Sequence, residues 1–108
     1  MSYKVKSLKV FERQAKKLIK KYPSLKNEIR DLSNLLKEDP TQGIPLGKNC
    51  YKIRVAIKSK GKGKSGGARL ITNIIIDTET VYLLTIYDKA EKENLSNELE
   101  KLLLEIPD

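Results

Sequence analysis

The sequence predicts an α+β fold: an N-terminal helical hairpin packed on an antiparallel sheet of three to four strands, with a C-terminal helix. Three observations carry that prediction. Two apolar stripes at helical spacing fill the first third of the chain; three apolar runs with short links follow; a last helical stripe ends it. At 108 residues the chain reads as one domain, 1–108, able to bury roughly 65% of its unfolded surface.

Residues 3–8 alternate loosely and predict a short edge strand. Phe11, Ala15, Leu18 and Tyr22, with Ile19 beside them, form the first helical stripe. Lys16, Lys17, Lys20 and Lys21 fill the rest of that helix, either as a solvated face or as a contact for a polyanion such as RNA. Pro23 breaks it, because the residue before a proline avoids the helical region. A second helix starts near Ser24, shows Leu25, Ile29, Leu32, Leu35 and Leu36 on one side, and ends before Pro40. So short a break between two amphipathic helices predicts an antiparallel hairpin. Residues 41–49, with two Gly and one Pro, read as a loop. Strands at about 50–58, 68–76 and 80–87 then make an antiparallel meander, the middle one apolar enough to be covered on both faces. Leu95, Leu99, Leu102, Leu103 and Ile106 mark the last helix.

Charge is distributed unevenly. The net charge is +8, and residues 1–26 hold nine Lys or Arg against Glu12. Residues 77–108 reverse this, with nine Asp or Glu against Lys89, Lys92 and Lys101. Between Thr41 and Ile76 stand Lys48, Lys52, Arg54, Lys58, Lys60, Lys62, Lys64 and Arg69 without one acid. In the strand Tyr51-Lys52-Ile53-Arg54-Val55 apolar and basic residues alternate, so one face is apolar and the other offers cations. With the helices on one face, the other is expected to be partly open and to carry Lys52, Arg54 and Arg69. Fixed cations on a sheet beside mobile ones on the glycine-lysine loop expected at 60–67 suit a polyanion, RNA or DNA.

Cys50 is the only cysteine and there is no histidine. No internal disulfide can form, a metal site lacks its usual ligands, and a reducing cytoplasm fits. Cys50 reads as a small buried apolar residue. No apolar run approaches the ~20 residues that span a bilayer. Gly63-Lys64-Ser65 is not a phosphate-binding loop: Lys58 stands where the motif needs its first glycine, and a strand follows instead of a helix.

Arg54 and Arg69 are the stronger candidates, because the arginine fork suits a phosphate carrying extra charge. Lys52 serves the same end or acts as a base. Tyr87 either stacks on a base or donates a proton, or it packs against the last helix. Lys89, at a strand terminus, is placed for a phosphate, and Asp88 for an ion pair with one of these cations. Lys48, Lys58, Lys60, Lys62 and Lys64 are the expected RNA-backbone contacts.

Three segments at this spacing resemble the RelE/ParE superfamily of toxin–antitoxin toxins, most closely its HigB- and RelE-type branch. They are Tyr51-Lys52-Ile53-Arg54-Val55, the stretch from Gly61 to Arg69, and Tyr82-Leu83-Leu84-Thr85-Ile86-Tyr87-Asp88-Lys89. The resemblance covers nearly the whole chain. It implies a RelE-like fold and a small ribonuclease that enters the ribosomal A site and cuts mRNA. It also implies an adjacently encoded, DNA-binding antitoxin as partner, with no cofactor and no membrane. By the same resemblance Lys52 and Arg54 match the paired basic residues of the first long strand, Arg69 the arginine opening the next, and Lys89 the basic stretch after the last. Many relatives place a catalytic tyrosine in the C-terminal helix; the corresponding region here offers Ser96, which leaves Tyr87 as the candidate. HigB relatives often use histidines, and this chain has none.

The expected chemistry is attack of a 2′-hydroxyl on the adjacent phosphate without metal, aided by positioning and electrostatics. Two other readings share these residues: a ParE-like DNA gyrase inhibitor, and a noncatalytic RNA- or ribosome-binding module.

Overall fold

The computed structural model describes residues 2–60, 67–89 and 98–107, with the side chain of Lys60 left out. The element order is β1 (Lys4–Ser7), α1 (Lys9–Lys21), α2 (Leu25–Glu38), β2 (Ile44–Gly47), β3 (Cys50–Val55), a 3-10 turn (Lys58–Lys60), β4 (Ala68–Ile75), β5 (Thr80–Asp88) and α3 (Glu98–Leu104). One five-stranded sheet runs β1-β5-β4-β3-β2. The α+β class, the helical pair, the three-strand meander and the last helix are therefore as expected.

Two details differ from expectation. Residues 41–49 do not form a plain loop, because β2 pairs antiparallel with β3 across a two-residue turn at Lys48 and Asn49. Both turn residues have positive φ, 54° and 60°, the twist that a tight hairpin requires. The sheet is also mixed: β1 lies parallel to β5, Lys4 opposite Thr80 and Ser7 opposite Leu83. A parallel neighbour cannot be reached by a short turn, and here the connection runs through the rest of the chain.

Alternation along the strands sorts their side chains onto two faces. On one, Ile53, Val55, Leu70, Ile74, Val81, Leu83 and Ile86 meet Phe11, Ala15 and Leu18 of α1 with Leu25 and Leu36 of α2. The helical stripes thus lie where their spacing puts them, except that Leu35 is 49% exposed while Leu36 is fully buried. On the other face Cys50, Ile71, Tyr82, Leu84 and Tyr87 meet Leu99, Leu102, Leu103 and Ile106 from α3 and the residues after it. The second face is therefore partly open as expected, with Arg54 exposed and the C-terminal segment covering the rest of the packed layer. Leu95 lies outside the described residues.

The two adjacent leucines of α2 give a direct test of this packing. Leu36→Ala is expected to cost about 2–5 kcal/mol, through lost burial and a residual cavity. Leu35→Ala is expected to cost less than about 1 kcal/mol, since half of that side chain is already in water. Urea unfolding of the two variants against the parent checks both.

Candidate functional site

Register places the main candidates side by side. Arg54 of β3 is the direct partner of Arg69 in β4, and Arg69 is the direct partner of Tyr87 in β5. Directly opposed residues hold their Cβ atoms about 4.5–5.5 Å apart, so Arg54, Arg69 and Tyr87 form one row across three strands. Lys52 lies on the next row of that face, opposite Ile71. Four of the five expected catalytic residues therefore share one face of the sheet. Lys89 stands one residue past the end of β5 with its side chain exposed, and its N–H donates to Gly67 O at 3.2 Å.

The row is graded in depth. Arg54 is exposed and Lys52 half-buried, whereas Arg69 is 5% and Tyr87 8% exposed. The buried position of Arg69 corrects the expectation of an open face carrying all three cations. Its position in the central strand sets that depth, and Arg69 Nη1 donates to Ala68 O at 3.1 Å. Burial pushes the Tyr87 phenol above its ordinary value; the Arg69 cation opposes the rise and the Glu98 carboxylate adds to it. Tyr87 accordingly belongs to the apolar layer under α3 and keeps its proton at neutral pH, as a donor must.

The expected RNA contacts are dispersed. Lys48, in the β2–β3 turn, pairs through Nζ with Glu100 of α3, and that bond is the main reason the Glu100 carboxyl sits below its usual value. Both partners are largely exposed, so the pair contributes little to stability. Lys58 is exposed on the turn after β3, and its N–H donates to Glu28 Oε2 at 2.8 Å. Beside it the Ser59 N–H donates to Ser24 Oγ at 2.9 Å, and Ser24 Oγ donates to Glu28 Oε1 at 3.2 Å. The start of α2 thus fixes the backbone from which the glycine-lysine loop departs. Lys60 closes that turn; Lys62 and Lys64, like Ser96, lie outside the described residues.

Two other residues need a word. Asp88 is buried and turned toward the helices, where it accepts the Tyr22 hydroxyl at 3.2 Å, so it is on the opposite face from the arginine row. Cys50 is fully buried as expected. Burial pushes its thiol up, against smaller lowering effects from the Asn73 hydrogen bond and the Lys48 charge. One residue that sequence reasoning missed is Gln14 of α1, whose Oε1 accepts Thr85 Oγ1 at 2.6 Å and Ile86 N at 3.2 Å. Nothing in its own stretch of sequence marks it.

The comparisons with known proteins bear on the fold and the family. The solved structure of an arginine-to-alanine double mutant of E. coli toxin RelE in the free state superposes with a TM-score of 0.64. It is 19% identical and covers 94% of this chain and 98% of that one; the likeness is one of fold. Among the described residues no helix is long and apolar enough to cross a membrane. The family model for the RelE toxin of the RelE/RelB toxin–antitoxin system matches residues 3–107. The chain therefore belongs to the RelE toxin family, and an antitoxin is its expected partner.

Proposed function

We propose that this toxin is a ribosome-dependent mRNA endoribonuclease that arrests translation, and that the Arg54–Arg69–Tyr87 row with Lys52 is its active site. The register of that row carries the reading. Like charges directly opposite one another are unfavourable in a sheet, and a phosphate seated on Arg54 and Arg69 reverses the sign of that interaction. Two planar forks in register also match the oxygens of a phosphorane, which carries more charge than the phosphate from which it forms.

In the proposed reaction the RNA 2′-oxygen bonds to the adjacent phosphorus, the P–O5′ bond breaks, and the products carry a cyclic phosphate and a 5′-hydroxyl. Arg54 and Arg69 hold the phosphorane. Lys52 adds a third positive charge beside the attacking 2′-oxygen, whose proton leaves to water, and Tyr87 or Lys89 gives one to the departing O5′. Lys48, Lys58, Lys60, Lys62 and Lys64 grip mRNA or rRNA backbone around it. A site with no histidine has modest acid–base power, so orientation of the substrate by the ribosome supplies much of the rate.

Primer extension on a reporter mRNA in a purified translation system tests this. Cuts should appear only when ribosomes translate the message. The downstream fragments should accept phosphate from a polynucleotide kinase without prior phosphatase, the mark of a 5′-hydroxyl. Intact mRNA under active translation would sink the proposal, and 5′-phosphate ends would sink the 2′-hydroxyl mechanism.

A further inference from the structure

We propose that Gln14 is a positioning residue: its side-chain oxygen holds the β5 bulge that turns Tyr87 onto the Arg69 face of the sheet. This rests on the reading of Tyr87 as part of the site. In β5, Tyr82 and Leu84 lie on the α3 face, and so does Tyr87. Val81 and Leu83 lie on the α1–α2 face, and so does Ile86. Each set steps by two residues and then by three, so the strand changes phase once.

Register locates the change. Ile71 opposes Thr85 and Thr72 opposes Leu83, which leaves Leu84 with no partner. Such a one-residue bulge disrupts the ladder locally and re-aims every side chain after it. Unbroken alternation would send Tyr87 into the helices and bring Ile86 and Asp88 out onto the α3 face. Instead Ile86 is 1% exposed in the helix-side core, Asp88 reaches Tyr22, and Tyr87 stands beside Arg69.

At the bulge the Ile86 N–H, with the Thr85 hydroxyl, donates to Gln14 Oε1. Both groups are donors there, so only an acceptor on α1 can serve, and the bond reaches across 72 positions of sequence. An open cavity of about 500 Å³ lies beside it, lined in part by Gln14, Lys17 and Lys21. A carboxylate at position 14 would accept both bonds and find two cations nearby. Methionine would keep the shape and accept neither.

The test uses the full-length toxin with 13Cζ-labelled tyrosine, the Tyr87 resonance being assigned by its loss in Tyr87→Phe. Gln14→Met should move the Tyr87 titration down toward the ordinary tyrosine value, and Gln14→Glu should restore it. Cleavage by Gln14→Met should fall about tenfold, the loss that follows from an unmet backbone donor. It should fall no further in a Tyr87→Phe background, whereas a merely structural residue would add its own loss. A folded Gln14→Met whose Tyr87 titrates as in the parent overturns the inference. If Gln14→Met does not fold, Thr85→Val removes one of the two bonds. It should then shift Tyr87 less but in the same direction, and no shift overturns the inference. If the Tyr87 signal moves and is rescued while Tyr87→Phe cuts at the parental rate, the positioning stands and the catalytic reading of Tyr87 falls.

Discussion

Arg69→Ala is expected to lower the rate of mRNA cleavage by about a hundredfold or more, while the protein still folds and binds its antitoxin. Arg69 is the middle of the row, directly opposed to both Arg54 and Tyr87, and it is the buried cation of the pair. A charge held in a dry, preformed position stabilises a developing anion far more than the same charge in water. Arg54, exposed to solvent, should therefore matter less, and Arg54→Ala should lose activity by a smaller factor than Arg69→Ala. Arg69→Lys keeps the charge and loses the fork, so it should recover only part of the rate. The bond to Ala68 O is worth about 1 kcal/mol, and truncating so buried a side chain adds a packing cost, so urea unfolding accompanies the rate measurement. Removing Arg69 also removes the cation that opposes the raised Tyr87 phenol, so the Tyr87 titration should rise further. Single-turnover cleavage, circular dichroism and the tyrosine titration check the three parts. A folded Arg69→Ala that cuts at the parental rate would remove this residue from the mechanism.

Most of the fold is legible in the chain because its elements keep their periods. Phe11, Ala15 and Leu18 repeat at helical spacing and lie in the core, and the meander from Cys50 to Asp88 joins strands that are neighbours in sequence. What escapes is set by contacts between distant segments. The β2 hairpin turns on Lys48 and Asn49 at positive φ, residues that carry none of the glycine usually read as a tight turn. The parallel pairing of β1 with β5 has no local signal. For the site, alternation correctly groups Lys52 and Arg54, but phase says nothing about cover; the expected packing of Tyr87 against the last helix was the one sign of α3 on that face. The bulge left no trace: Val81, Tyr82, Leu83 and Leu84 alternate between two apolar faces, so the run reads the same with or without a phase change after it.

Gly67→Ala should destabilise the fold by about 3 kcal/mol or more, because the added methyl group meets backbone. A Cβ at Gly67 would lie 2.1 Å from Val55 O, with Val55 C at 3.1 Å and Ala56 Cα at 3.2 Å. All three are backbone atoms of the neighbouring strand and its exit, so no side-chain rotation relieves the clash. The strands must instead part where Val55 meets Ala68, one step from the Arg54–Arg69 pair. Gly47 provides the control. It has φ +88° but nothing within 4 Å of its ideal Cβ, so Gly47→Ala should cost only about 1–2 kcal/mol of backbone strain. Urea midpoints of the two variants measure the difference. A Gly67→Ala within error of Gly47→Ala would mean that β3 and β4 part easily at this end. Gly67→Ala and Arg69→Ala should both weaken growth arrest, but by different routes. The first lowers the amount of folded toxin, and the loss should shrink when cooling stabilises the fold. The second lowers the rate per folded molecule, and no stabilising condition should restore it.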